Sequence, residues 1–132
     1  MGHRKWIAVG ALWAALAVGL GAFGAHGLRE RLAAAGMEET WRTAVRYQMW
    51  HALGLIVIAM PRERWSLGPF SCWCFLLGSL LFSGSLYGLC LGGPAGVLGP
   101  ITPFGGLGLI VGWVAFAAQL LRSRRASLPA GR

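Results

Sequence analysis

Four stretches of this chain carry too little charge to be wetted along their length. Residues 7–25 hold no charged side chain across 19 positions, residues 70–91 none across 22, and residues 101–121 none across 21. As α-helices they extend roughly 28–33 Å, which matches a hydrocarbon core of about 30 Å. A helix buried in a water-soluble core needs only about 10–14 apolar residues. The remaining run, residues 47–60, is shorter, but helical sequence before it extends the element back to about Glu38. Spans are therefore expected at about 7–25, 40–60, 70–91 and 101–121 of one 132-residue membrane domain. Composition agrees, since 12% of the residues are charged and 56% are hydrophobic, against about 25% charged in a soluble domain.

The basic start and small-residue end of the first run also suit a secretory leader. Its 19 uncharged positions exceed the roughly 7–15 of a leader's apolar region, so it is read as a retained span. With an even number of spans both termini share a side. That side holds Arg4, Lys5, Arg62, Arg64, Arg122, Arg124, Arg125 and Arg132. The opposite side holds Arg29, Arg31, Arg42 and Arg46. Eight against four places both termini in the cytoplasm, because basic residues are retained there. The net charge of +8 is thus topogenic, with some attraction to anionic lipid, and it does not signal nucleic-acid binding. Trp6, Trp41, Trp65 and Trp73 fall near the interfaces, as belt residues do.

Between the spans, "LRERLAAAG" (28–36) reads as a short interfacial helix stopped by Gly36. "MEETWRTAVRYQ" opens the next helix, with Glu38 and Arg42 in the favourable acid-first spacing. "PRERW" (61–65) reads as a tight cytoplasmic turn after a helix ended by Pro61. "GGPAGVLGPITP" (92–103) is uncharged and rich in glycine and proline. It is expected to be irregular, with Thr102 and Pro103 opening the last helix as cap and first residue. Gly84 with Gly88, Gly108 with Gly112, and Ser79 with Ser83 stand at helix-packing spacing.

This topology gathers the conspicuous polar residues toward the outer half: His26, Arg42, Arg46, Tyr47, Gln48, His51, Ser83, Ser85, Tyr87 and Thr102. Tyr47 and His51 share one helical face, and His51 must face the bundle because a polar group turned to lipid costs several kcal/mol. Three roles are open to the cluster: hydrogen bonding between helices, handling of a ligand or proton, or part of a metal site. Two histidines without a nearby carboxylate or thiolate fall short of a metal set. Cys72 and Cys74 lie far from Cys90 along their helix and are read as free thiols. There is no phosphate loop, nucleophile elbow or pair of carboxylates, so neither an enzymatic reaction nor a cofactor is expected.

The segments "GAFGAHGL" (21–28), "WRTAVRYQMWHALGL" (41–55), "GSLLFSGSLYGL" (78–89) and "GPITPFGGLGLIVGW" (99–113), taken in order, resemble the YgdD-like family of small membrane proteins. The resemblance covers nearly the whole chain. It implies four spans in a plasma membrane, bacterial by the short ends, and it brings no established activity and no catalytic residues. The expected architecture is an all-α, integral membrane four-helix up-and-down bundle, with a short interfacial helix after the first span. The expected role is that of a non-enzymatic accessory or interaction protein of the bacterial inner membrane. Its partners would be membrane lipids and another membrane protein or a second copy of itself. The alternative is a small transporter, or a lipid- or anion-binding protein with an outer-leaflet site.

Overall fold

The computed structural model describes residues 2–60 and 69–126. Among the described residues the chain is entirely helical: α1 (His3–Ala25), α2 (Arg29–Ala35), α3 (Glu38–Ala59), α4 (Phe70–Cys90) and α5 (Ala95–Ala126). Three of these, α1, α4 and α5, are long and apolar enough to cross a membrane. α3 is 22 residues long, but Glu38, Glu39, Arg42 and Arg46 crowd its first turns. The expected turn at 61–65, Trp65 included, lies outside the described residues.

The helices pack in chain order, α1 on α3, α3 on α4 and α4 on α5, and successive partners run antiparallel. Gly10 meets Ala52 and Ile56, while Gly21 meets Val45 and Gly24 meets Trp41. Along the α4–α5 seam Gly112 meets Phe75, Gly78 meets Leu109, Gly105 meets Phe82, and Gly88 meets Leu98. Between helices in an apolar solvent there is little hydrophobic force, so close contact through residues lacking a Cβ supplies the attraction. The outside is correspondingly apolar: Leu12, Phe104 and Val114 are 72%, 68% and 63% exposed.

α2 is a single short element closed as its sequence implies. Gly36 adopts a left-handed conformation, φ 65°, and its N–H reaches back to the Leu32 and Ala33 carbonyls. Leu32 is buried against Trp41 and Cys90, and the Arg31 guanidinium donates to the Leu91 carbonyl at 2.7 Å. α2 is thereby folded over the end of the bundle where α1, α3 and α4 meet.

Two expectations are corrected here. The segment 92–103 is not an irregular connection: α5 begins at Ala95 and continues through Pro100 and Pro103. Thr102 is no cap but lies inside the helix, donating from Oγ1 to the Leu98 carbonyl at 3.2 Å. Each proline forfeits one backbone bond, to Gly96 and Gly99 by the helical i−4 rule. An irregular strand of the same length in an apolar setting forfeits far more, which reverses the ordering that holds in water. Second, Trp6 and Trp41 are not belt residues. Each is 3% exposed. Trp6 packs edge-on to Trp73 at 4.9 Å, and the Trp41 indole donates to the Leu20 carbonyl at 2.9 Å.

The seam makes a sharp prediction. A Cβ at Gly105 would overlap the Phe82 backbone nitrogen, where nothing can swing aside, whereas one at Gly84 would meet nothing within 4 Å. Gly105→Ala is expected to cost about 1–3 kcal/mol through overpacking. Gly84→Ala is expected to be neutral or to gain up to about 1 kcal/mol of helix propensity. Thermal unfolding of the two variants in detergent measures the difference.

Candidate functional site

The polar side chains fall into separate groups, not one outer cluster. The innermost group is built around α3. Gln48 is 1% exposed; its Nε2 donates to the Trp13 carbonyl of α1 at 3.1 Å. Its Oε1 accepts from the Tyr87 hydroxyl of α4 at 3.0 Å. The Trp13 indole in turn donates to Ser79 Oγ of α4 at 2.8 Å. One amide and one indole thus tie together the two helices on either side of α3.

His51, one turn further along α3, makes the link to α5. Its Nε2 lies 3.1 Å from the Trp113 indole nitrogen, and its Nδ1 lies 2.8 Å from the Tyr47 carbonyl. An indole N–H can only donate, so Nε2 must offer its lone pair and the proton sits on Nδ1. The imidazole is therefore neutral, with both ring nitrogens engaged in bonds to protein. Phe75 meets its ring edge-on at 5.2 Å, and Tyr47 lies along the same helical face with ring centroids 6.0 Å apart. The lone pair that a metal ion would need is thus taken by the Trp113 indole.

Ser85 and Thr102 pair across the α4–α5 seam at 2.7 Å, and both also touch carbonyls of their own helices. Ser83 is buried, with its hydroxyl unpartnered. His26 closes α1 through its backbone N–H, which donates to the Ala22 carbonyl at 3.1 Å, and it is exposed. By helical rise and the α1–α3 register it lies about 16 Å along the axis from His51, so the two histidines do not form one site. Cys72, Cys74 and Cys90 are free thiols.

Arg42 and Arg46 belong to a different place, a groove at the α2 end of the bundle between α1, α2 and α3. It encloses about 500 Å³, with Arg29, Glu38, Arg42 and Arg46 at its rim and Gly21, Trp41 and Val45 among its apolar lining. The acid that engages the arginines is Glu39, not Glu38 as expected from spacing. Glu39 contacts Arg46 and stands 3.8 Å from Arg42. Trp13 and Trp113 were hidden from sequence reasoning inside apolar runs, and Ser79 stood out there only as a small packing residue. The available signal was that a buried indole N–H needs an acceptor.

Few charges, long apolar helices and internally paired polar groups define a helical membrane protein. The chain belongs to the family described as "Protein of unknown function (DUF423)", whose model matches residues 20–106. It is 45% identical over 122 residues to the UPF0382 membrane protein YwdK of Bacillus subtilis, covering 90% of this chain and 98% of that one. A UPF0382 membrane protein of Schizosaccharomyces pombe is 42% identical over 114 residues, covering 80% and 92% of the two chains. One from Haemophilus influenzae is 36% identical over 123 residues, covering 92% and 97%. No solved structure matches the chain.

The hydrogen-bonding pattern predicts that ¹⁵N spectra of the solubilised protein show His51 neutral and protonated at Nδ1. A signal from the Nε2–H tautomer or from imidazolium would contradict it. His51→Ala is expected to lower stability by about 0.6–1.7 kcal/mol, the range for hydrogen bonds between membrane helices.

Proposed function

We propose that this is a non-catalytic protein that crosses a bacterial plasma membrane four times and serves as an accessory or interaction partner of another membrane protein. The observation that carries this reading is the consumption of the interior polar groups. Gln48, Tyr87 and Trp13 spend their polar groups on other helices, and His51 and Ser79 each divide theirs between another helix and their own, which leaves little there to bind or transform a substrate.

α3 supplies the second crossing. α1 and α4 each run antiparallel to α3, so they run in the same direction, and the chain must return between them. At 22 residues α3 is roughly 33 Å long, enough for that return. Eight basic residues on the side of the termini, against four near α2, favour termini in the cytoplasm. The narrower YgdD-like designation is supported by the ordered motifs alone. A second reading, a small transporter or a lipid- or anion-binding protein with an outer-leaflet site, is favoured by the arginine-rimmed groove.

Native mass spectrometry of the protein extracted gently from its own membrane tests the accessory role. A particle containing a second protein is expected; a lone monomer or homo-oligomer would remove that role. Topology is tested separately in a cysteine-free background carrying Gly2→Cys or Ala34→Cys. A membrane-impermeant maleimide added to intact cells is expected to label the cysteine at position 34 and to spare the one at position 2.

A further inference from the structure

We infer that the groove at the α2 end is a binding site for the headgroup and upper acyl chain of an anionic glycerophospholipid, an assignment that rests on the outer-leaflet reading above. The depth of the charges comes first. Val45 faces Gly21 and Trp41 faces Gly24, so the next residues of α3, Arg46 and Arg42, stand level with the last turns of α1. α1 is still apolar there, through Ala25. Arg46 thus lies about 6 Å inside the apolar edge of its neighbour.

The groove is accordingly two-sided. Guanidinium groups form its rim, and Gly21, Leu32, Trp41 and Val45 form its wall. A water-soluble anion could use the rim but would gain nothing from the wall. A lipid phosphate joined to an acyl chain matches both. The volume of about 500 Å³ suits a headgroup and the start of one chain; small-molecule sites span roughly 300–1,000 Å³.

Charge selects the headgroup. The rim carries Arg29, Arg42 and Arg46 against Glu38, and Glu39 engages Arg42 and Arg46 from outside the groove. Three positive and two negative groups leave one positive charge, which one phosphodiester balances. Among the described residues Arg29 has no hydrogen bond or ion pair, so its guanidinium faces the groove uncommitted. A zwitterionic lipid brings its own ammonium with its phosphate and would leave the rim's one net positive charge unbalanced.

The test uses the full chain in a neutral detergent, with phosphatidylglycerol, phosphatidylethanolamine or inorganic phosphate added separately. Native mass spectrometry is expected to retain one phosphatidylglycerol per chain, at least about tenfold more tightly than phosphatidylethanolamine. Inorganic phosphate is expected to give neither an adduct nor a rise in melting temperature. Arg29→Gln is expected to weaken phosphatidylglycerol binding about fivefold, the worth of one basic residue at a lipid surface. Since Arg29 has no partner within the described structure, that loss would not reflect a broken internal bond. Arg31→Gln, which alters the residue clasping the Leu91 carbonyl and lies outside the groove lining, is expected to leave binding unchanged. Equal retention of the two lipids, stabilisation by phosphate alone, or undiminished binding by Arg29→Gln would each overturn the assignment. None of these outcomes alters the labelling pattern that tests topology, so the site and the membrane orientation stand or fall separately.

Discussion

The bundle depends on one constraint: a polar side chain inside it has no water to bond, and on α3 the buried ones are met by other helices. Gln48 shows how the constraint becomes architecture. Its amide has a donor and an acceptor on opposite sides, and here the donor goes to α1 and the acceptor to α4. Rotating α3 by a quarter turn would break both bonds and leave Gln48 and the Tyr87 hydroxyl unpaired, a penalty of about 1–3 kcal/mol for each group. His51 adds a third direction through Trp113 of α5. The apolar contacts of α3 demand the same orientation, with Trp41, Val45 and Ile56 turned toward glycines of α1. Polar bonds and glycine contacts therefore fix the rotation of α3 together, and the glycines also set how closely its neighbours approach.

The α4–α5 seam follows a second logic. Its register is held by backbone proximity, with Gly78, Gly105 and Gly112 each facing atoms of the other helix. A helix packed this tightly gains from being unbroken, and α5 keeps its helical path through two prolines. The Ser85–Thr102 pair sits in the same seam, and Thr102 donates to a carbonyl one turn back, next to the prolines. Local rules that end a helix at proline assume that water will satisfy the alternative. In this seam it does not.

Much of the fold was legible because its signals are local. The uncharged runs marked α1, α4 and the body of α5, and Gly36 marked the stop after α2. The facing of His51 into the bundle also followed, since the cost of turning it to lipid is large. What was not legible depended on partners distant in sequence. Nothing about Trp13 or Trp113 as single residues distinguishes a bundle donor from a lipid-facing aromatic; the difference lies in whether Ser79 or His51 stands opposite. The same holds for Trp6 and Trp41, placed at the interface by position yet buried by packing. Glu39 replaced Glu38 as the arginines' partner because the turn of α3, not spacing alone, decides which carboxylate they reach.

Separating the polar residues into interior and rim also separates their roles. Around the middle of α3, donors and acceptors are matched: the indole of Trp113 with His51, the hydroxyl of Tyr87 with Gln48. Such groups hold a conformation, and any ligand would first have to displace a bond already made. At the rim, Arg29 is unmatched, Arg42 and Arg46 share one carboxylate, and their surroundings change from apolar to charged within one helical turn. A bound molecule there would displace only long side chains that are already at least half exposed. The lipid site we propose accordingly lies at the α2 end, where the first turns of α3 carry the charge that disqualified it as an ordinary span. The same residues that make α3 a poor match to lipid alone make its end a good match to a molecule that is itself half charged and half apolar.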